Sequence, residues 1–104
     1  AGVISLTKST AAALVGENIR VNCIVPGYVS QQPAKTEEEA ERLKLRGRFN
    51  TARRLGEAWE LGPLAVFLCS DASSYVTGEV FAIDGGGLAG GIAPTGYKLE
   101  VSNA

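Results

Sequence analysis

At 104 residues the sequence is long enough for one small domain, which buries a smaller share of its surface than a larger one does. Ten Lys and Arg residues against eleven Asp and Glu residues give a formal net charge of −1, so no strong positive field would attract nucleic acid or anionic lipid. Because no apolar run approaches the roughly 20 residues that cross a bilayer, and the N-terminus does not resemble a signal peptide, we predict a cytoplasmic protein with no nucleic-acid and no membrane partner.

The first predicted element is a helix over residues 1–15. Its apolar residues recur at helical spacing and Lys8 is its only charge, so we expect it to be buried on most sides. It opens on Ala1 rather than on a capping residue, which predicts that the helix begins upstream of this position. Gly16 is predicted to take the left-handed conformation that ends the helix.

A run of β-branched and apolar residues at 19–25 predicts a strand buried on both faces, as in parallel sheets. Pro26 and Gly27 end it. Arg20 and Asn22 interrupt the run at alternate positions, so both point to one side and each needs a partner. We predict that these partners are neighbouring loops and that the role of both residues is structural.

Residues 26–35 are predicted to form a loop at the C-terminal end of that strand, where ligands bind in open parallel sheets. Thr36 and Glu39 have the spacing of a capping box at the start of a short, mostly solvated helix. Four arginines follow within residues 46–54. We interpret them as solvated residues that pair with the preceding acidic residues, with phosphate binding as the alternative.

A second helix is predicted over residues 59–70, with Pro63 in its first turn, where no internal partner is needed for the missing N–H. Its apolar face comprises Leu61, Leu64, Ala65 and Leu68. A second strand follows at residues 79–83 and a turn at residues 84–87. The order helix, strand, helix, helix, strand predicts an α/β layer structure with a parallel sheet.

The glycine-rich segment at residues 85–96 lacks the helical stripe that follows a dinucleotide-binding fingerprint. We therefore interpret residues 88–104 as a C-terminal tail. Cys23 falls in a strand-like run and Cys69 in a helix-like run, without CxxC spacing, and the sequence has no His. These features predict two buried free thiols and no metal site.

Three segments, in this order and spacing, resemble the C-terminal part of the short-chain dehydrogenase/reductase family. They are IRVNCIVPGYV at residues 19–29, RRLGE at residues 53–57, and VFLCSDASSYVTGEVFAIDGG at residues 66–86. The resemblance covers about residues 1–87. It implies the C-terminal portion of a Rossmann-like, doubly wound parallel sheet, with its last two strands and their flanking helices, followed by the tail.

In that family the turn after this strand packs against the nicotinamide ring of NAD or NADP, which implies that Pro26 and Gly27 bind the cofactor. The position of Val29 offers its backbone N–H and carbonyl to the nicotinamide carboxamide. The family usually has Thr where Gln31 stands, so the resemblance implies a cofactor contact for Gln31 by position only. The acidic or basic residue that distinguishes NAD from NADP lies in the N-terminal part of the family and is not in this sequence.

The family's segment after the Pro-Gly turn closes over the substrate. The resemblance therefore implies substrate binding by Tyr28, Gln32 and Phe49. We expect a small-molecule alcohol or carbonyl substrate, of the sugar, sugar acid or polyol type. A 3-oxoacyl-type carbonyl is the alternative, and a non-catalytic module that binds a partner through a sheet edge is a second alternative.

The catalytic Tyr, Lys and Ser of the family have no counterpart among these residues, since its Tyr and Lys are expected just before Ala1. Neither Tyr28 nor Tyr75 is followed by Lys four residues later. We therefore predict no catalytic residue in this chain and no turnover by it alone. The intact protein is expected to interconvert an alcohol and a carbonyl by NAD(P)-dependent hydride transfer, as a homotetramer or homodimer that associates through the first helix and the last strand.

Overall fold

The computed structural model describes residues 1–90, so the predicted tail lies outside the described residues from residue 91 onward. The chain divides into two compact units. The first comprises Ala1–Pro26 and Glu57–Ile83, and the second comprises Gly27–Gly56 and the described residues from Asp84 on.

Short helices and strands alternate along the described residues. The helices are α1 (Gly2–Leu14), α2 (Glu37–Gly47), α3 (Gly62–Leu68) and α4 (Gly87–Gly90). The strands are β1 (Cys23–Pro26), β2 (Val29–Ser30), β3 (Gly56–Glu57) and β4 (Val80–Ile83). Turns of 3₁₀ helix lie at Val15–Glu17, Ala58–Leu61 and Asp71–Ser73. No helix among these residues is long and apolar enough to span a membrane.

The first unit contains the predicted parallel sheet. Strand β1 pairs with β4 in parallel, with Cys23 opposite Val80 and Pro26 opposite Ile83. This pairing confirms the predicted α/β fold class. Strand β1 begins later than the predicted run at residues 19–25, because the residues that face its first part, before Val80, form a loop and not a strand. The hydrogen bonds there are irregular: the Gly78 N–H donates to the Val21 carbonyl at 2.7 Å.

The two polar residues that interrupt the apolar run bond to loops, as predicted. The guanidinium of Arg20 donates to three carbonyls, those of Val76 at 3.1 Å, Leu68 at 2.8 Å and Ser70 at 3.3 Å. The Asn22 amide donates to the Val76 carbonyl at 3.0 Å, and its oxygen accepts the Glu79 N–H. These bonds join the chain before β1 to the end of α3 and to the loop before β4.

Helix α1 confirms the predicted helix, but two details differ. Only Thr7 and Ala11 of this helix are buried, whereas Val3 is 67% exposed, so burial on most sides is not seen among the described residues. The prediction for Gly16 is wrong. Gly16 lies within a 3₁₀ turn, and the left-handed conformation (φ 59°) falls on Asn18, whose short polar side chain tolerates it.

The predicted second helix splits in two. Residues Ala58–Leu61 form a 3₁₀ turn with a capping box between Glu57 and Glu60, and α3 then begins at Gly62, with Pro63 in its first turn. The four apolar residues of its predicted face are all half-buried, while Val66 on the other side is 71% exposed.

The prediction that both thiols are buried holds for Cys23 but is wrong for Cys69. Cys23 is 7% exposed, whereas Cys69 is exposed. Leu68 is the last residue of α3 and belongs to its half-buried apolar face. Cys69 comes one residue later, and because successive residues of a helix point in different directions, its side chain lies off that face.

Helix α2 begins at the predicted cap, although the cap is only half of a capping box. The Thr36 hydroxyl accepts the Glu39 N–H at 3.1 Å. The Glu39 carboxylate reaches back one residue further than the motif requires and accepts the Lys35 N–H at 2.8 Å.

The turn after β4 is as predicted, since Gly85 (φ 61°) and Gly86 (φ 82°) take conformations that favour glycine. The next residues form the short helix α4 rather than starting the tail directly. The Asp84 carboxylate accepts the N–H groups of Gly86 and Leu88, which gives α4 a side-chain cap.

We predict that Arg20→Met lowers the free energy of unfolding of the intact protein by about 1.5–3 kcal/mol, the usual range for hydrogen bonds to a charged group. The matched control is Arg42→Met, because Arg42 is exposed and its side chain has no bond within residues 1–90. Urea unfolding measures both. Equal stability of the two variants would contradict a stabilising role for the Arg20 bonds.

Candidate functional site

The chain that follows β1 forms a loop in the second unit. We call residues 27–33, which leave β1, the outgoing arm, and residues 48–56, which return from α2, the returning arm. The two arms meet. The Gly56 N–H of β3 donates to the Tyr28 carbonyl beside β2 at 2.9 Å. Gly47, the last residue of α2, is buried, and a side chain there would meet the Arg54 Cα at 2.8 Å. The outgoing arm, α2 and the returning arm are therefore packed at backbone distance.

Gly27 stands where the outgoing arm begins. A Cβ at this position would lie 2.7 Å from the Asp84 Cβ and 2.8 Å from the Asp84 Cα, distances that real Cβ atoms essentially never show. Glycine is therefore required here by contact with the protein's own backbone.

The returning arm is anchored to the turn that follows β4. The Thr51 hydroxyl donates to the Gly86 carbonyl at 2.7 Å, and the Ala52 N–H donates to the Gly85 carbonyl at 2.8 Å. Asn50 is 5% exposed and its amide donates to the Arg54 carbonyl, which folds the arm on itself. These bonds hold residues 50–54 in place.

Between the outgoing arm and α2 lies a pocket of about 320 Å³, formed entirely within the second unit. It is lined by Tyr28, Val29, Ser30, Gln31, Gln32, Pro33, Glu39, Leu43, Arg46 and Leu55. Its volume is at the lower end of the roughly 300–1,000 Å³ that is typical of ligand pockets.

The pocket combines an apolar part with a polar rim. Val29, Leu43 and Leu55 are half-buried and form the apolar part of the lining. The amides of Gln31 and Gln32 are exposed and each can both donate and accept hydrogen bonds. This arrangement fits a small ligand with a carbon skeleton and several hydroxyl or carbonyl groups.

The charged residues of the pocket differ in how they are engaged. One oxygen of Glu39 already accepts the Lys35 N–H. The Arg46 guanidinium has no hydrogen bond or ion pair with any residue in the described part of the chain. The pocket therefore has one negative residue that is already partly engaged and one positive residue with no partner among the described residues.

The structure brings together four of the seven residues that the sequence singled out. Tyr28, Val29, Gln31 and Gln32 line the pocket. Gly27 directly precedes Tyr28 but contacts Asp84.

The other two predicted site residues lie elsewhere. Pro26 is the exposed last residue of β1 in the first unit. Phe49 is 55% exposed and is not one of the lining residues, so its substrate role stays a prediction.

The sequence analysis did not identify the contribution of α2. Glu39, Leu43 and Arg46 are spaced by four and three residues, which places them on one helix face. That spacing was available in the sequence, but the surrounding run of charges made the helix look uniformly solvated. Within residues 1–90 no group of three or more His, Cys, Asp or Glu residues is arranged to hold a metal ion.

Comparison with known proteins gives a consistent match over most of the chain. The family model described as enoyl-(acyl carrier protein) reductase matches residues 1–87. The 3-oxoacyl-(acyl-carrier-protein) reductase of Thermotoga maritima is 46% identical, with 83% of this chain and 35% of that protein covered. The galactitol 2-dehydrogenase of Cereibacter sphaeroides is 40% identical, with 81% of this chain and 34% of that protein covered.

Among solved structures, the L-sorbose reductase of Gluconobacter frateurii, complexed with NADPH and L-sorbose, superimposes with a TM-score of 0.69 at 26% identity. The match covers 79% of this chain and 35% of that one. The chain thus spans about a third of the length of the proteins that it matches.

We predict that Gly27→Ala destabilises the intact protein by about 1–3 kcal/mol, because the added methyl group has no space beside Asp84. Gly16→Ala is the matched control. Nothing lies within 4 Å of a Cβ at Gly16, and its φ is not in the left-handed region. Thermal or urea unfolding distinguishes the two, and a Gly27→Ala variant as stable as the control would contradict the close approach.

Proposed function

The chain belongs to the short-chain dehydrogenase/reductase family, and on this premise we propose that the whole protein is an NAD(P)-dependent oxidoreductase that interconverts an alcohol and a carbonyl. The observation that carries the proposal is the family match over residues 1–87, which includes every residue that lines the pocket. NADPH in the related L-sorbose reductase supports the choice of cofactor class.

The pocket has the dimensions to accept part of the cofactor or a small substrate. Val29 and Gln31 are the two proposed cofactor residues that line it, and we propose that the backbone of Val29 and the amide of Gln31 bind the nicotinamide end. A volume of about 320 Å³ fits the nicotinamide end or a small substrate but not a whole dinucleotide. When bound, the cofactor would supply or accept the hydride, and the chain's own contribution would be binding and orientation.

We propose that the substrate is a sugar, a sugar acid or a polyol. The Tyr28 hydroxyl and the Gln32 amide, both at the pocket, can donate to and accept from substrate hydroxyls. The apolar part formed by Val29, Leu43 and Leu55 would contact the carbon skeleton and exclude water. Galactitol and L-sorbose, named for two relatives, are compounds of this kind.

A 3-oxoacyl-type carbonyl is the second candidate substrate. It is favoured by the 46% identity to the Thermotoga maritima reductase, and the description of the family model also names a substrate on an acyl carrier protein. The two candidate substrates need different pockets. An acyl chain needs a long apolar surface, whereas a polyol needs hydrogen-bond partners.

The proton donor for the reaction is proposed to come from outside these residues. Tyr28 and Tyr75 are exposed, and neither is followed by a Lys four residues later. We further propose a cytoplasmic homotetramer or homodimer. The exposed apolar residues Val3 and Leu6 of α1 support association through this helix.

The first experiment is an intact-mass measurement of the purified protein, run beside fluorescence titrations with NADH and NADPH. Saturable binding of either nucleotide, together with its oxidation by a sugar ketone or a 3-oxoacyl thioester, is the expected result. A protein of full length that binds neither nucleotide would refute the proposal.

The roles of the two glutamines can be separated by substitution. We predict that Gln31→Ala weakens cofactor binding by about fivefold, which corresponds to one hydrogen bond of about 1 kcal/mol, and leaves the substrate KM unchanged. Gln32→Ala is the matched variant and should raise the substrate KM by a similar factor without changing the cofactor Kd. The reverse pattern would exchange the two assignments.

A further inference from the structure

The α2 side of the pocket presents one side chain of each chemical kind. Glu39, Leu43 and Arg46 lie on one helix face, so an acidic, an apolar and a basic residue line the cavity in series. Leu43 is half-buried and continues the apolar part, whereas Arg46 lies in the last turn of α2 and is exposed. The chain therefore has a charged group at one end of this wall that a ligand can reach.

The two charges on this wall are not equivalent toward a ligand. Glu39 is half-buried, and its carboxylate is held by the Lys35 N–H next to the helix N-terminus, where a negative charge stabilises the helix. The Arg46 guanidinium makes no such bond among residues 1–90. Of the two side chains, only Arg46 has no hydrogen-bond or ion-pair partner among the described residues.

A free guanidinium selects its partner by shape as well as by charge. Its planar fork forms two parallel hydrogen bonds to a carboxylate, an arrangement that a neutral hydroxyl cannot reproduce. A volume of about 320 Å³ suits a small ligand, and the amides of Gln31 and Gln32 are suited to hydroxyl groups.

We infer that Arg46 determines substrate specificity by binding the carboxylate of a small hydroxy acid or oxo acid in this pocket. The inference rests on the proposed function and narrows it, because among sugars, polyols and sugar acids it selects the acids. Arg46 is a binding residue here and takes no part in the transfer of hydride or proton.

A helix-stabilising role would account for a cation in the last turn of α2 equally well. Lys44 separates these explanations, because it also lies in the last turn and does not line the pocket. The two residues make similar contributions to the helix dipole, so Lys44→Gln is the matched control for Arg46→Gln.

The test uses the full-length protein with saturating cofactor and pairs of probes that differ only in the acid group. D-Gluconate is compared with D-glucitol, D-glycerate with glycerol, and L-lactate with 1,2-propanediol. Calorimetry gives the Kd of each, so the measurement does not depend on turnover. We expect at least one acid to bind on the order of tenfold more tightly than its neutral counterpart, as for one charged hydrogen-bonded pair at an exposed site.

Arg46→Gln should remove that preference and leave the Kd of the neutral probe unchanged. Lys44→Gln should retain the preference, and Arg46→Lys should retain part of it, since it keeps the charge and loses the fork. The inference is overturned if no acid of the panel is preferred by the wild type, or if Arg46→Gln leaves the preference intact.

Cofactor titrations of the same variants distinguish the other source of an anion. If Arg46→Gln weakens NADPH but not NADH, the guanidinium binds a cofactor phosphate and the inference is wrong. If the wild type binds neither nucleotide, the proposed oxidoreductase function fails. The acid preference is then measured again without cofactor and is judged on that result.

Discussion

The parallel pairing of β1 with β4 is the constraint on which the rest of the described chain depends. Parallel neighbours cannot be joined by a tight turn, so the intervening chain must leave the sheet and return. The residue after β1 is Gly27 and the residue after β4 is Asp84, and within the second unit their backbones approach so closely that no Cβ fits between them. The loop that carries the pocket starts from this contact.

Much of this fold could be predicted from local sequence, because parallel strands that are covered on both sides need continuous apolar runs. The runs before Pro26 and Asp84 identified both strands and their sheet type. Their limits could not be predicted, since residues 19–22 bond to a loop through single backbone groups and the side chains of Arg20 and Asn22. The left-handed conformation after α1 was assigned to Gly16, but Asn18 adopts it, because asparagine also tolerates a positive φ.

The sequence predicted the outgoing arm of the pocket but not its α2 side. The outgoing arm, with Tyr28 to Gln32, follows a recognisable Pro-Gly turn, so resemblance identified it. The α2 side depends on which face of a charged helix turns inward, and the close approach of Gly47 to the backbone of Arg54 is one tertiary contact that accompanies this orientation. No pattern of charge along the helix contains this information, which is why Arg46 was grouped with the solvated arginines.

The two walls of the pocket therefore offer unequal opportunities for redesign in the laboratory. The outgoing arm begins at a glycine that accepts no side chain, and the returning arm is fastened by Thr51 and Asn50, so changes there risk the shape of the whole loop. The α2 wall projects Glu39, Leu43 and Arg46 from a helix with its own cap. Combinatorial libraries confined to Leu43 and Arg46 would vary the size and charge of the cavity and leave the surrounding backbone unchanged. This wall is therefore the natural starting point for directed evolution of new substrate preferences.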